Sequence, residues 1–208
     1  MIGELEFILK TAQSLIRQRK LAPAETLLLD KYGEWGNHSL INLALGEIFF
    51  LKDNIATSLQ YLKIAYENGK NIPSVVVYYA EKLRLNDETT RAKEVLQIAI
   101  LNRPCDKVLL ESYANFCLTD QNPLESLKFN FRLLLLFPNY STGHTNIAEA
   151  YAALDNYEKS LEHQNIAIKY DTGSQVKLNR AITLLTLEQY QEGWAEYENR
   201  LEIGRAHV

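Results

Sequence analysis

A period of about 34 residues, the length of one short helical hairpin, runs through this chain and constrains its fold more than any other feature. One set of small residues recurs once in each of six consecutive segments: Ala12, Gly46, Ala80, Ala114, Ala148 and Ala181. A second set lies twelve positions after the first: Ala24, Ser58, Ala92, Ser126, Ser160 and Gly193. The step is constant through the first five segments and is one position shorter into the last. Self-similarity at a fixed period of this length is the signature of a repeat architecture.

The two columns of small residues predict a helical hairpin in each segment. Two antiparallel helices approach closely only where the side chains between them are small. Large apolar residues such as Ile147 and Tyr151 flank Ala148 on the predicted first helix of the fifth segment. Because so small a hairpin cannot bury its apolar face alone, neighbouring hairpins must stack. The sequence therefore predicts an all-α solenoid of about six helix-turn-helix units.

The pattern resembles that of the tetratricopeptide repeat family over roughly residues 5–202. The resemblance is clearest in the fifth segment, which contains Asn146-Ile147-Ala148-Glu149-Ala150-Tyr151, then Asp155-Asn156-Tyr157 at the turn, then Ser160-Leu161 and Ala167-Ile168. Pro104 and Pro138 occupy the position of the proline that closes a repeat in the family, and both residues end a helix. The resemblance implies a right-handed superhelix that binds other proteins.

The segments suggest one domain over residues 1–202, because no linker of glycine, serine or like charges divides them. The predicted units are residues 5–38, 39–72, 73–106, 107–140, 141–173 and 174–202. A longer connection at 32–38 makes the first unit the least regular. Residues 203–208 read Ile-Gly-Arg-Ala-His-Val, and we interpret them as an adaptor-derived, non-native tail that is left out of the fold.

Composition and charge bear on the class of partner. The 208 residues are 47% hydrophobic, and 22 basic residues against 26 acidic ones give a net charge of −4. This balance argues against a nucleic-acid partner or an anionic membrane surface, which favour a basic patch. No segment approaches the roughly 20 apolar residues of a membrane span, and no secretory signal pattern opens the chain. We therefore expect a cytoplasmic protein.

Residue types that carry chemistry are scattered. The nine glycines form no phosphate-binding loop. Among His38, His144, His163 and His207, no two are four residues apart, so a helical metal pair is not predicted. Cys117 is expected to be buried and Cys105 to lie in a turn. The sequence predicts no catalytic residue, no metal site and no cofactor, so we expect that this chain is not an enzyme.

The resemblance implies a binding surface lined by the first helix of each hairpin. Ten residues are predicted to contact a partner there: Gln13, Glu47, Tyr78, Glu81, Arg84, Glu111, Asn115, Asn146, Glu149 and Asn179. Their largely acidic and amide character favours a basic or polar extended peptide or helix. The alternative is a solvated face without a dedicated ligand. Two groove types of the family are not predicted: a clamp for a terminal carboxylate, and a continuous asparagine ladder, for which only Asn146 and Asn179 fit.

The leading functional hypothesis is thus a protein-interaction scaffold, and two alternatives stay open. The last unit contains Gly193-Trp194 and Tyr197-Glu198-Asn199-Arg200, which is similar to the final repeat before a bacterial glycosyltransferase domain. That similarity implies a substrate-recruiting arm of a larger enzyme. The other alternative is self-assembly through Trp194, Tyr197 and Leu201, because the face that they form would need a cover in a solenoid.

Overall fold

The computed structural model describes residues 2–198 and residue 200, so the predicted tail at 203–208 and Leu201 lie outside the described residues. The described part is all-helical and contains no β-strand. Its helices are α1 Ile2–Arg17, α2 Leu21–Asp30, α3 Tyr32–Trp35, α4 Ser39–Leu51, α5 Ile55–Asn68, α6 Pro73–Leu85, α7 Thr89–Asn102, α8 Lys107–Thr119, α9 Pro123–Leu136, α10 Ser141–Ala152, α11 Tyr157–Tyr170, α12 Ser174–Thr186 and α13 Tyr190–Tyr197. None of these helices has the length and apolar character that crossing a membrane requires.

The helices form two compact units, Met1–Arg103 and Pro104–Val208, here called unit 1 and unit 2. Sequential helices pack as hairpins: α1 with α2, α4 with α5 and α6 with α7 in unit 1, and α8 with α9, α10 with α11 and α12 with α13 in unit 2. The predicted fold of stacked helix-turn-helix repeats is confirmed. The repeat boundaries and the single-domain count remain predictions from the sequence.

The short helix α3 was not predicted and lies inside the longer connection at 32–38. Tyr32 and Trp35 both pack against the apolar cluster of unit 1. Tyr32 and Trp35 are three positions apart in the sequence. One helical turn brings both aromatic side chains to the same cluster. The backbone N–H of His38 then donates to the carbonyl of Trp35 at 2.8 Å.

The hairpin turns share one left-handed residue, although none of these residues is glycine. The residues with positive φ are Arg19, Asp53, Asp87, Gln121, Asp155 and Glu188, with φ between 54° and 62°. The next residue donates its N–H back across the turn, as when Asn54 donates to the carbonyl of Phe49 at 2.9 Å. Such a bond satisfies a carbonyl at the helix end. In three hairpins the residue after the left-handed one is an asparagine: Asn54, Asn122 or Asn156. Its side chain caps the second helix and stabilises the helix N-terminus.

The two predicted columns of small residues lie at the contacts between paired helices and are buried. Gly46 shows why the first column must be small. A β-carbon at this position would lie 2.5 Å from the Cγ and Cδ2 atoms of Leu62, which is far inside van der Waals contact. In the second column, the hydroxyl of Ser58 donates to the carbonyl of Gly46 at 2.7 Å and ties the hairpin together.

The core of the second helices differs between the units. One buried position recurs with the period of the repeat. In unit 1 it is occupied by Leu28, Leu62 and Leu96. The same position is Asn130 and Gln164 in unit 2, where both side chains are also buried. The Asn130 Oδ1 and Gln164 Oε1 atoms accept no hydrogen bond from the part of the chain that the structure describes. Buried polar atoms without partners lower stability. Asn130 and Gln164 are therefore expected to lower the free energy of unfolding of unit 2.

Candidate functional site

The ten predicted contact residues all lie on first helices, five in each unit. Unit 1 contributes Gln13 on α1, Glu47 on α4, and Tyr78, Glu81 and Arg84 on α6. Unit 2 contributes Glu111 and Asn115 on α8, Asn146 and Glu149 on α10, and Asn179 on α12. Asn146 is buried, whereas the other nine are exposed or half-buried. Each unit therefore presents its own set of polar side chains.

In unit 1, Lys82 contacts two of the predicted residues, Tyr78 and Glu81. Lys82 itself is not among the ten predicted residues. Lys82 is 7% exposed, and its Nζ atom lies 3.8 Å from the ring centre of Phe50 and 4.7 Å from that of Tyr78. The same atom is 3.4 Å from a carboxylate oxygen of Glu81. An ammonium group between two aromatic faces is stabilised by their quadrupoles. The cation that this arrangement accommodates is thus supplied by the chain itself.

The charge of Glu47 is also countered from within unit 1. Burial raises the pKa of the Glu47 carboxyl above its ordinary value, while the positive charges of Lys82 and Arg17 act to lower it. Burial, together with the carboxylates of Glu47 and Glu81, raises the pKa of the Tyr78 hydroxyl, so this group stays neutral. Cations of the chain itself therefore act on both predicted carboxylates of unit 1.

Two predicted residues of unit 1 take no part in this arrangement. Within the described residues, the side chains of Gln13 and Arg84 form no hydrogen bond or ion pair with the other predicted contact residues. Gln13 lies on α1 and Arg84 lies on α6. A binding role for either residue remains a prediction.

In unit 2, amide side chains connect neighbouring first helices. The Asn146 amide on α10 donates to the Asn115 Oδ1 atom on α8 at 2.7 Å. The Asn179 amide on α12 donates to a carboxylate oxygen of Glu149 on α10 at 3.4 Å, and the Gln175 amide donates to the Asn179 Oδ1 atom at 2.9 Å. We call these five residues the amide network of unit 2. Each amide carries both donors and acceptors, so the network offers both kinds of group to a ligand.

Glu149 is the charged member of the network and differs from Glu47 in its surroundings. The residue as a whole is exposed, yet its carboxyl group is desolvated enough to raise its pKa above the ordinary value, and no cation among the described residues acts in the opposite direction. The positions that correspond in the repeat to Arg17 and Lys82 are Thr119 and Thr183. Glu149 therefore lacks the two internal cations that act on its counterpart Glu47 in unit 1.

The predicted residue Glu111 lies in a separate contact of unit 2. The Tyr140 hydroxyl donates to a carboxylate oxygen of Glu111 at 2.9 Å. The Lys107 ammonium lies 3.4 Å from the centre of the Tyr140 ring. Burial raises the pKa of the Tyr140 hydroxyl, and the acceptor Glu111 adds to this effect. Like Glu47, the carboxylate of Glu111 is thus engaged by groups of its own unit.

The structure also brings together two histidines that lie 19 residues apart. The Nδ1 atoms of His144 on α10 and His163 on α11 are 3.2 Å apart. Residue spacing within a single helix does not predict this pair. The positions of the two histidines in the repeat could have predicted the contact. His144 lies four residues before Ala148 and His163 lies three residues after Ser160, on the two facing helices of one hairpin.

The structure also shows the surroundings of the two cysteines and of Trp194. Cys117 is buried, as expected, and Cys105 is exposed. Trp194 is 56% exposed at the end of the described chain and packs edge-on against Tyr197. Across residues 2–198 and 200, no three or more histidine, cysteine, aspartate or glutamate side chains form a group suited to a metal ion.

Comparison with known proteins agrees with this architecture. The chain is 26% identical over 181 residues to the TPR repeat-containing protein YpiA of Bacillus subtilis strain 168. The match covers 86% of this chain and 41% of the relative, so the chain spans about two fifths of the relative's length. No family model matches the sequence.

Solved structures with the same arrangement of helices are more distant in sequence. A tetratricopeptide repeat protein from Parabacteroides merdae superposes with a TM-score of 0.77 at 15% identity, covering 95% of this chain and 78% of that one. A chain from the Cut9–Hcn1 heterotetramer of APC/C superposes with a TM-score of 0.72 at 13% identity, covering 94% of this chain and 39% of that one. Likeness at such identities concerns the fold.

Proposed function

We propose that this chain, which has the tetratricopeptide-repeat fold, is a protein-interaction scaffold that binds an extended segment of a partner through the amide network of unit 2. The fold supports a scaffold role in general, and the similar chain from the Cut9–Hcn1 heterotetramer belongs to an assembly of several proteins. The proposal adds the location of the contact and the chemistry of the partner.

The observation that carries the proposal is the contrast between Glu149 and Glu47. Glu47 has Lys82 and Arg17 as countercharges, whereas the desolvated carboxyl of Glu149 has none among the described residues. A partially desolvated carboxylate gains most from a cation that arrives with a ligand. The partner segment therefore carries a lysine or arginine that binds at Glu149.

The amides of the network supply the remaining contacts. An extended peptide exposes one N–H and one carbonyl per residue, and the side chains of Asn115 and Asn179 can donate to or accept from both groups. The buried Asn146 amide donates to Asn115 and holds that side chain in place. These contacts are independent of the partner's side chains. Specificity would then come from the basic residue, and affinity from the peptide backbone. Binding of this kind requires no catalytic step by the chain.

The experiment uses a fluorescein-labelled peptide of about twelve alternating lysine and serine residues, with the matching glutamate and serine peptide as a control. Binding to the full chain is followed by fluorescence anisotropy, and the contacted amides are identified by NMR chemical shifts. We expect the basic peptide to shift the side-chain amides of Asn115, Asn146 and Asn179. The acidic peptide is expected to leave them unchanged.

Two matched variants locate the charge that matters. Glu149→Gln is expected to weaken binding of the basic peptide about fivefold, which corresponds to about 1 kcal/mol. Glu47→Gln changes the affinity less than about twofold, because Lys82 and Arg17 already counter that carboxylate. Equal effects of the two substitutions, or amide shifts confined to unit 1, would reject the assignment to unit 2.

A further inference from the structure

His144 and His163 form a contact that joins the two helices of one hairpin. His144 is 8% exposed and lies on α10, while His163 is half-buried on α11. The Nδ1 atoms are 3.2 Å apart, and the His144 Nε2 atom is 3.3 Å from the carbonyl oxygen of Pro138. Three of the four ring nitrogens of the pair are therefore committed to these two contacts.

The carbonyl of Pro138 determines where the protons lie. A carbonyl oxygen only accepts hydrogen bonds, so the His144 Nε2 atom must carry a hydrogen and donate it. A neutral imidazole has one N–H, which leaves the His144 Nδ1 atom bare. The His163 Nδ1 atom must then carry the hydrogen that is shared between the rings. The neutral pair is thus held as two opposite tautomers.

We propose that His144 and His163 form an acid-sensitive clamp between α10 and α11 in unit 2. One added proton can enter at the His163 Nε2 atom and leave the shared hydrogen bond in place. A second added proton must go to the His144 Nδ1 atom, because this is the last bare nitrogen. Two N–H groups then point at each other between two positively charged rings, and the hydrogen bond is lost.

The groups around the histidine pair come from α9, α10 and α11. The Phe131 ring of α9 and the Tyr151 ring of α10 each lie 5.9 Å from the His163 ring, and the Tyr170 ring of α11 lies 6.4 Å from that of His144. Glu162 of α11 is the acidic group that favours a charged His163. The Lys159 ammonium lies 5.2 Å from the centre of the Tyr151 ring. The rings are therefore enclosed mainly by aromatic side chains.

The direction of the pH effect follows from these contacts. Burial, and secondly the electrostatic interaction with His144, lower the pKa of His163 below its ordinary value of 6.5, and Glu162 offsets only part of this. The unfolded chain consequently takes up this proton at a higher pH than the folded chain. Stability is then fully present above pH 6.5 and is lost progressively as the pH falls below that value.

Opening of the clamp would reach the proposed binding surface, because α10 also carries Asn146 and Glu149. Acidification would loosen the hairpin that positions these two members of the amide network. The clamp itself follows from the histidine geometry alone, whereas its effect on a partner rests on the proposed function. The experiments below use the chain without a partner, so that failure of one idea is distinguishable from failure of the other.

The first experiment determines the tautomers in the full chain by two-bond ¹H–¹⁵N NMR of the histidine rings at pH 7.5. We expect His144 to carry its hydrogen on Nε2 and His163 to carry its hydrogen on Nδ1. The same tautomer in both rings would overturn the clamp, because neither ring could then donate to the other while His144 donates to Pro138. This measurement needs no variant and is unaffected by any folding defect.

The second experiment measures urea unfolding of the full chain at pH 7.5 and 5.5. His163→Gln keeps an amide that can donate to His144 but removes the titrating ring. We expect acidification to reduce the folding equilibrium constant of the natural chain at least about threefold more than that of this variant. His38→Gln in unit 1 serves as the matched control for loss of a histidine. A response equally large in His163→Gln would refute the clamp.

Discussion

Units 1 and 2 share one repeat pattern but differ in what they place in the core of their second helices. Unit 1 has Leu28, Leu62 and Leu96 at a position where unit 2 has Asn130 and Gln164. All five side chains are buried, yet only the two amides bring polar atoms that must find partners. Equal burial thus has opposite energetic consequences, since apolar burial stabilises and unsatisfied polar burial destabilises.

The polar surfaces of the two units differ in the same sense. Lys82 fills the space between Phe50 and Tyr78 in unit 1, and it also counters Glu47. Glu149 in unit 2 has an amide partner but no such cation within the described residues. Natural proteins depart from the most stable arrangement chiefly where function requires it. The contrast agrees with our proposal that a partner binds at the amide network of unit 2.

The largest expected effect comes from giving unit 1 the polar core of unit 2. Leu62→Asn should lower the free energy of unfolding of unit 1 by about 3–5 kcal/mol, because it removes apolar volume and buries an amide. Urea unfolding followed by circular dichroism measures the change. Leu62→Met is the control and should cost less than about 1.5 kcal/mol. A loss under about 1 kcal/mol for Leu62→Asn would mean that this position tolerates polarity in either unit.

The reverse exchange should stabilise unit 2. Asn130→Leu replaces a buried amide, whose Oδ1 atom accepts no hydrogen bond within the described residues, by the side chain of the equivalent position in unit 1. We expect the free energy of unfolding to rise by about 1–2 kcal/mol in the same urea assay. Asn130→Ala separates the two contributions, because it removes the amide but leaves a cavity and should destabilise. Destabilisation by Asn130→Leu would indicate that the amide has a partner essential to folding.

A smaller effect is expected when unit 1 loses its internal cation. Lys82→Met keeps an unbranched side chain against Phe50 and Tyr78 and removes the ammonium group. Since Lys82 lowers the pKa of Glu47, its removal should raise that pKa, which a ¹³C NMR titration measures. The basic peptide should then shift signals of unit 1 as well as of unit 2.

Lys63→Met is the matched control for this change. Lys63 is exposed, and its Nζ atom lies 3.9 Å from the Oε1 atom of Glu67 on the same helix. Its removal should leave both the pKa of Glu47 and the peptide response of unit 1 as they are in the natural chain. If Lys82→Met also leaves the pKa of Glu47 unchanged, burial alone determines that pKa and the electrostatic contrast between the units disappears.

The smallest effect concerns the hairpin turns, which are alike in both units. Arg19→Gly in unit 1 and Gln121→Gly in unit 2 remove the side chain from a residue with left-handed backbone. Each should raise the free energy of unfolding by less than about 1 kcal/mol, because glycine adopts this conformation without strain but loses more entropy on folding. The two increases should agree within about 0.5 kcal/mol by thermal unfolding, since independent sites of the same geometry respond alike. A larger difference would place part of the contrast between the units in their turns.

Much of the fold follows from local rules of the sequence. The spacing of Ala12 and Gly46 predicted where helices approach, and the structure buries both residues. The turn residues Asp155-Asn156 were placed correctly between two paired helices. The short helix α3 was missed, because it depends on two aromatic side chains reaching a distant cluster rather than on the period.

The candidate site was only partly accessible to sequence reasoning. All ten predicted residues lie on first helices, as expected, but the sequence did not show that the surroundings of their carboxylates differ. It gave no reason to select Lys82, Gln175 or His163, each of which acts through a residue on another helix or another turn. The contribution of these residues depends on distances of a few ångströms between segments that the period cannot specify.

By itself, the sequence determined the helical repeat of this protein, because a fixed period with two small positions in every segment permits close packing of one hairpin on the next. Only the tertiary structure decided which charges are neutralised, which amides connect neighbouring helices and which histidines meet. The physical reason is one of range. Helix formation and hairpin packing depend on neighbours at fixed spacing, whereas the energy of a buried charge or a shared proton depends on every group that the fold brings near it.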